Sequence, residues 1–222
     1  MDFMKELSSE EYFSLQQYAH RELFHGITYA WEPLLALSAY LEKQKLGKIE
    51  IEVPKNVYLV NPELISIGAG TVIEPGAYIQ GPVIIGPKNT IRHGAYIRGN
   101  VITGEGCVIG HTTEVKHSIF LDRALAPHFN YVGDSILGND VNLGAGVKLA
   151  NFKLDHKDVD LIFQGQKIFT KLRKFGAILG DGVQIGCNAV TNPGTLIGKG
   201  AFCYPCTNIR GVLLPKSIYK GT

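Results

Sequence analysis

The stretch IGAGTVIEPGAYIQGPVIIGPKNTIRHGAYIRGNV, residues 67–101, decides the fold. Aliphatic residues recur in it every six positions, at Ile67, Ile73, Ile79, Ile85, Ile91 and Ile97, and after one miss at Thr103 the phase resumes at Ile109 and Val115. Four residues after each stands a mostly small side chain: Thr71, Ala77, Val83, Ala95, Val101, Cys107 and Thr113, with Asn89 the exception. Six residues suffice for one short strand and one turn, so three such units close a triangular coil of about 18 residues. The aliphatic side chains then stack inward, the small ones fit the corners, and strands about 4.8 Å apart pair with the coils above and below. The pattern predicts a mainly β chain, a left-handed parallel β-helix of hexapeptide repeats.

Working outward, the phase slips around residues 118–131 and returns at Leu137, Leu143 and Leu149. It breaks again over residues 152–176, a basic stretch with Lys153, Lys157, Lys167, Lys171, Arg173 and Lys174, inside which VDLIF-QGQ-KIFT reads as a β-hairpin. It restarts at Leu179, Ile185, Ile197 and Ile209, with Thr191 and Cys203 in the same phase. The extruded loop at 152–176 has two readings, a solvated charge run or a lid whose lysines meet coenzyme A phosphates. Lys174 leads the second, because the loop rejoins the rigid coil there.

Residues 1–50 read as a separate helical segment and 51–222 as the β-helix domain. Ser8 and Glu11 make a candidate capping box before EEYFSLQQYAHRELF, and WEPLLALSAYLEKQKLG ends on Gly47 as a candidate C′ glycine. Covering one end of the solenoid is the expected role of these helices; binding a partner is the other.

The composition narrows the classes of function. The 222 residues are 45% hydrophobic, carry 22 basic and 20 acidic side chains and include 26 glycines, which fits a turn-rich globular chain without a nucleic-acid footprint. No apolar run reaches the about 18 residues of a membrane span, MDFMKELSSEEYF lacks a signal peptide's pattern, and four scattered cysteines make no disulfide framework. A cytoplasmic protein without nucleic-acid or membrane partners is expected.

Polar residues gather where the repeat fails: Glu114-Val-Lys116, Ala126-Pro-His128-Phe-Asn-Tyr131-Val-Gly-Asp134, Asn139-Asp-Val-Asn142 and Ala150-Asn151-Phe-Lys153. A histidine is the natural base near neutral pH, and a neighbouring carbonyl or carboxylate fixes its tautomer. His128, in the company of Lys116, Tyr131 and Asn142, is the candidate. A rival constellation is metal binding by His93 and His111, one coil apart, with His117 six residues on; it requires convergence on one point, and a surface ladder is the simpler reading. Cys203-Tyr-Pro-Cys206 is formally a C-x-x-C, but Cys203 falls in the inward phase and reads as a buried structural thiol.

The blocks GAYIRGNV, EVK, APHFNYVGDS and NDVNLGAGV, in this order, resemble the acetyltransferase half of bifunctional N-acetylglucosamine-1-phosphate uridyltransferase/glucosamine-1-phosphate acetyltransferase. The likeness runs from about Ile65 to Arg210, and KLRKFGAILGDGVQIG is similar to archaeal-type sugar-phosphate relatives. The resemblance implies acetyl transfer from acetyl-CoA to a hexosamine 1-phosphate, glucosamine 1-phosphate first, on the route to UDP-N-acetylglucosamine. It implies His128 as general base and Asn142 as the residue that orients it or holds the thioester carbonyl. Arg98, Lys116, Tyr131 and Asn151 fall on acceptor-binding positions; Lys174, Cys187 and Arg210 are the expected coenzyme contacts. Family members are homotrimers with active sites shared between subunits, and the same is expected here. Nothing in the chain matches the uridyltransferase half, so neither uridylyl transfer nor a metal is expected. Another amino sugar or acyl chain, and a non-catalytic sugar-phosphate or partner-binding solenoid, are the alternatives.

Overall fold

The computed structural model describes residues 5–221; the first four residues of the N-terminal segment and Thr222 of the solenoid lie outside the described residues. The chain winds into a left-handed parallel β-helix whose three faces are each an eight-stranded parallel sheet. Face 1 runs from Tyr58–Val60 to Asn208–Ile209, face 2 from Ile65–Ile67 to Val212–Leu213, and face 3 from Val72–Ile73 to Ile218–Tyr219. The six-residue phase is the inward column: Ile67, Ile79, Ile97, Leu137, Ile185 and Ile209 are all buried in one continuous core. Asn89, the exception among the small corner residues, is itself buried. Its amide donates to the carbonyls of Gly86 and Gly104, and its oxygen accepts from Cys107 N at 2.9 Å, so it pairs backbone groups that the turns leave open.

The phase does not lapse between 118 and 131. Phe120, Ala126 and Val132 carry it inward, all fully buried. What changes is one corner, between faces 1 and 2. Val115 pairs with Val132, and Ile119 with Ile136, one residue less than the spacing of Ile79 and Ile97. The residue is lost twice, once after Lys116 and once after Gly133, and the long insert leaves from this corner one coil later, after Asn151. Tightening strands backbone groups, which buried serines collect: Ser118 Oγ donates to Lys116 O at 2.8 Å and Ser135 Oγ to Gly133 O at 2.8 Å.

The N-terminal segment lies along face 2 and does not cap an end. Every strand of that face but the first, which presents Ser66, has an outward aliphatic residue beside the inward one, and Ile102, Ile119, Ile136, Ile178 and Leu196 are fully buried beneath a second cluster with Trp31, Leu34 and Leu37. Strands apolar on both faces need a cover. Its helices are shorter than the sequence suggests: Ser9–Tyr12 and Glu32–Glu42 are α-helical and Arg21–Phe24 is 3₁₀. Ser8 forms no side-chain cap and Gly47 stands beyond the helix end, because packing of Tyr12, Phe13, Leu23 and Phe24 on face 2 shapes this segment. The hairpin pairs Asp160–Phe163 with Gln166–Phe169. It too joins the cover, burying Val159, Leu161, Ile168 and Phe175.

Candidate functional site

Three successive irregular turns at the corner between faces 1 and 2 bring side chains together that the regular repeat would hold a full rung apart. Lys116 ends the strand Glu114–Lys116, and its ammonium meets both oxygens of Asp134, at 2.9 and 3.2 Å. Asp134 is only 5% exposed and holds a left-handed backbone, φ 48°. Asn151, one coil on, donates its amide to Asp134 and, at 3.2 Å, to the Tyr131 hydroxyl. Gly133 makes the close approach feasible, since a Cβ there would stand 2.6 Å from Asn151 Nδ2 and 2.7 Å from the Tyr131 oxygen. Burial lifts the Tyr131 phenol above its ordinary range, with the Asn151 hydrogen bond pulling the other way, so it remains a donor at neutral pH. One rung back, Arg98 Nη1 meets Glu114 Oε1 at 2.7 Å, which holds the guanidinium's pKa up.

The structure thus gathers Arg98, Lys116, Tyr131 and Asn151, the four expected acceptor residues, on one edge of face 1. It also pairs both cations with carboxylates, Glu114 and Asp134. Uncompensated positive charge lies beside them. Arg173 and Lys174 stand over the Phe152 ring at 5.7 and 6.0 Å and take part in no ion pair with the described residues. Phe175 N donates to Asn151 O at 2.8 Å, fixing this basic pair next to Asn151.

His128 occupies the other edge of face 1, at the corner with face 3. It is exposed; its backbone N–H donates to Asn130 Oδ1 at 3.1 Å, and Asn130 in turn donates to Gly144 O at 2.7 Å. The strand Tyr131–Gly133 separates this edge from the Lys116 edge, about 10 Å at about 3.3 Å per residue. His128 belongs to a ladder: it pairs in register with His111, whose ring stacks on His93 with centroids 5.7 Å apart. The Nδ1 atoms of His93 and His111 sit 2.8 and 3.2 Å from the carbonyls of Pro75 and His93. His117 is elsewhere, its Nε2 2.9 Å from Leu34 O under the cover, so the three histidines considered for a metal do not converge. Among the described residues no group of three or more His, Cys, Asp and Glu side chains is placed to hold a metal ion.

Other expected contacts are not brought together within one chain. Asn142 pairs with Leu125, three residues before His128, so it lies about 10 Å along face 3 from the base it was expected to orient. Cys187 is exposed on the His128 corner two rungs away, Lys174 adjoins Asn151, and Arg210 is exposed on the last coil. Sequence reasoning missed Asp134 and Asn130. Asp134 carries a signal, since it stands one regular coil length from Lys116; Asn130 carries one too, as a second asparagine in a small-residue corner position. Cys203 is buried, with its thiol pushed up to about 11 by desolvation, while Cys206 is exposed. A cavity of about 390 Å³ lies between His20, Lys45 and Lys48 and the corner that joins faces 2 and 3, away from this cluster; face 1 is an open surface. No helix among the described residues is long and apolar enough to cross a membrane.

Fold and site together define a hexapeptide-repeat β-helix with one covered face and a polar cluster at the edge of an open one. The chain belongs to the GMPPB C-terminal domain family, whose model matches residues 79–197. It is 42% identical over 94 residues to a bifunctional sugar-1-phosphate nucleotidylyltransferase/acetyltransferase of Sulfurisphaera tokodaii, a match covering 42% of this chain and 23% of that protein. It is 33% identical over 178 residues to the bifunctional protein GlmU of Methanococcus maripaludis, covering 80% of this chain and 42% of the relative. The chain therefore spans less than half the length of these relatives. The Francisella novicida UDP-N-acetylglucosamine acyltransferase structure shares the fold, with a TM-score of 0.52 at 14% identity over 71% of this chain and 60% of that one.

Proposed function

We propose that the chain transfers an acetyl group from acetyl-CoA to the amine of a hexosamine 1-phosphate, glucosamine 1-phosphate first among them. The observation that carries this reading is the layout of face 1: an exposed histidine on one edge and a hydroxyl-, amide- and cation-bearing cluster on the other, with backbones about 10 Å apart, so that side chains from both edges reach over a single sugar ring. Relatives whose names include acetyltransferase and sugar-1-phosphate activities support it.

In this mechanism the amine lone pair attacks the thioester carbonyl carbon, forming the C–N bond. Neutral His128 accepts the proton that the amine sheds, the tetrahedral oxyanion collapses, the C–S bond breaks, and the proton passes to the departing thiolate. Tyr131, Asn151 and Lys116 hold sugar hydroxyls. Arg173 and Lys174 meet the 1-phosphate, which moves Lys174 from the coenzyme to the acceptor, since Arg98 and Lys116 already have carboxylate partners. Cys187, on the His128 corner, lies along the coenzyme's path. A second copy of the chain, and by the resemblance a third, completes the open face and supplies what one chain leaves distant from His128, including Asn142.

A free-thiol assay of acetyl-CoA with glucosamine 1-phosphate, galactosamine 1-phosphate and unphosphorylated glucosamine tests the reading. Turnover with a phosphorylated amine is expected, and His128→Ala lowers it by about 10²–10⁴-fold without loss of fold, the side chain being exposed. Retained turnover in that variant removes His128 as base; no thiol release with any acceptor removes the activity.

A further inference from the structure

We propose that Asp134 is the positioning residue of the face 1 cluster and sets the hydrogen-bonding polarity that an acceptor meets there. The proposal rests on reading this cluster as the acceptor surface. An ionised carboxylate only accepts hydrogen bonds. Asn151 must therefore turn Nδ2 toward Asp134, which leaves its Oδ1 facing out as an acceptor. The same Nδ2 donates to the Tyr131 oxygen at 3.2 Å, so the phenol proton is left to point outward as a donor. One donor and one acceptor side by side match a hydroxyl group, which needs both.

Asp134 also takes up the charge of Lys116, 18% exposed, at 2.9 Å. The cluster then carries no net charge of its own from this pair. It suits the neutral hydroxyls of a sugar, while the phosphate dianion is met by the uncompensated Arg173 and Lys174. A buried carboxylate that touches side chains from the coils on either side of it, and lies behind them, acts through those side chains. Its backbone is held as firmly: Asp134 N donates to Lys116 O at 3.1 Å, and Gly176 N donates to Asp134 O at 2.8 Å.

Asp134→Asn is the test, because asparagine tolerates the left-handed backbone at this position and keeps the shape. Its amide removes the charge and leaves one accepting oxygen in place of two, so Lys116 loses its ion pair and competes with Asn151 for that oxygen. The acceptor KM is expected to rise at least about tenfold while the acetyl-CoA KM holds, a split that general structural damage does not produce. Combined with Asn151→Ala, the loss should be no larger than the greater single loss, because both act through the same amide. An acceptor KM within about twofold of wild type, or losses that multiply in the double variant, overturns the proposal. Should the wild-type chain release no thiol with any amino-sugar phosphate, the functional reading fails, and the same cycle read by guanidinium unfolding still decides this one. Non-additive midpoints support the hub and additive midpoints overturn it.

Discussion

Faces 1 and 2 are built from the same repeat and differ only in the residue that points outward. On the middle strands of face 2 that residue is Ile102, Ile119, Ile136, Ile178 or Leu196, each sealed under the N-terminal segment and the hairpin. On face 1 the register aligns Tyr96, Glu114, Tyr131 and Lys148, and the face stays open. The inward column is indifferent to this choice, since the core needs only its aliphatic phase. Outward positions are where a solenoid can be specialised, one face for stability and one for recognition. The corner the two faces share, shortened twice and then interrupted by the insert, turns side chains toward the open face while sending the hairpin over the covered one.

The sharpest way to break this division is to damage the cover. Trp31 is 1% exposed, stacks on Tyr29 with ring centroids 4.5 Å apart and approaches Phe175 at 6.1 Å. Trp31→Ala is expected to cost about 3–5 kcal/mol in denaturant unfolding, with proteolysis in the N-terminal segment preceding that of the coils. Acetyl transfer per folded molecule should change little. If activity falls as far as in His128→Ala, the two faces are not separable.

Gly133→Ala probes the open side with a single methyl group. The position lies outside the left-handed region, so an alanine adds no backbone strain; its Cβ meets the ends of Asn151 and Tyr131. We expect the acceptor KM to rise about tenfold, equivalent to about 1.4 kcal/mol, with an unfolding midpoint close to wild type. A stability loss equal to the binding loss would mean that Tyr131 and Asn151 support the fold and not a ligand.

The inward phase was legible because a core tolerates no substitute for it: six-residue recurrence of Ile, Leu and Val has one architectural solution. Face 2 was legible as well, had its strands been read as pairs, since Ile84-Ile85, Ile119-Phe120, Ile136-Leu137 and Ile178-Leu179 are apolar on both sides and call for a cover. The four acceptor candidates came together because their spacing follows the coils. Asn142 did not join His128, because nearness along the sequence puts a residue on the same face without putting it at the same end of a strand. Asp134 stands one coil length from Lys116, but the shortened corner sets Lys116 opposite Gly133, so spacing alone does not show that the two side chains meet.

Histidine draws the same contrast at finer scale. His128 is exposed on the open side, where the proposed reaction asks it to take up a proton; His20 is half-buried within the cover, its Nδ1 2.9 Å from the Tyr40 hydroxyl and its ring edge-on to Tyr18 at 5.8 Å. Desolvation lowers the His20 pKa below its ordinary value, against a weaker opposing pull from Asp122. A lowered pKa means that below about pH 6.5 the unfolded chain binds a proton that the folded chain resists. Stability contributed by the half-buried neutral ring is therefore complete above that pH and is lost as the pH falls toward the folded-state pKa. Unfolding free energies of wild type and His20→Gln between pH 8 and pH 5 measure the effect, the smallest of those considered. The substitution should flatten the wild-type decline on the acid side and leave the acceptor KM untouched. Parallel declines would mean that His20 reaches water in the folded state, and that the cover is looser at this point than its packing indicates.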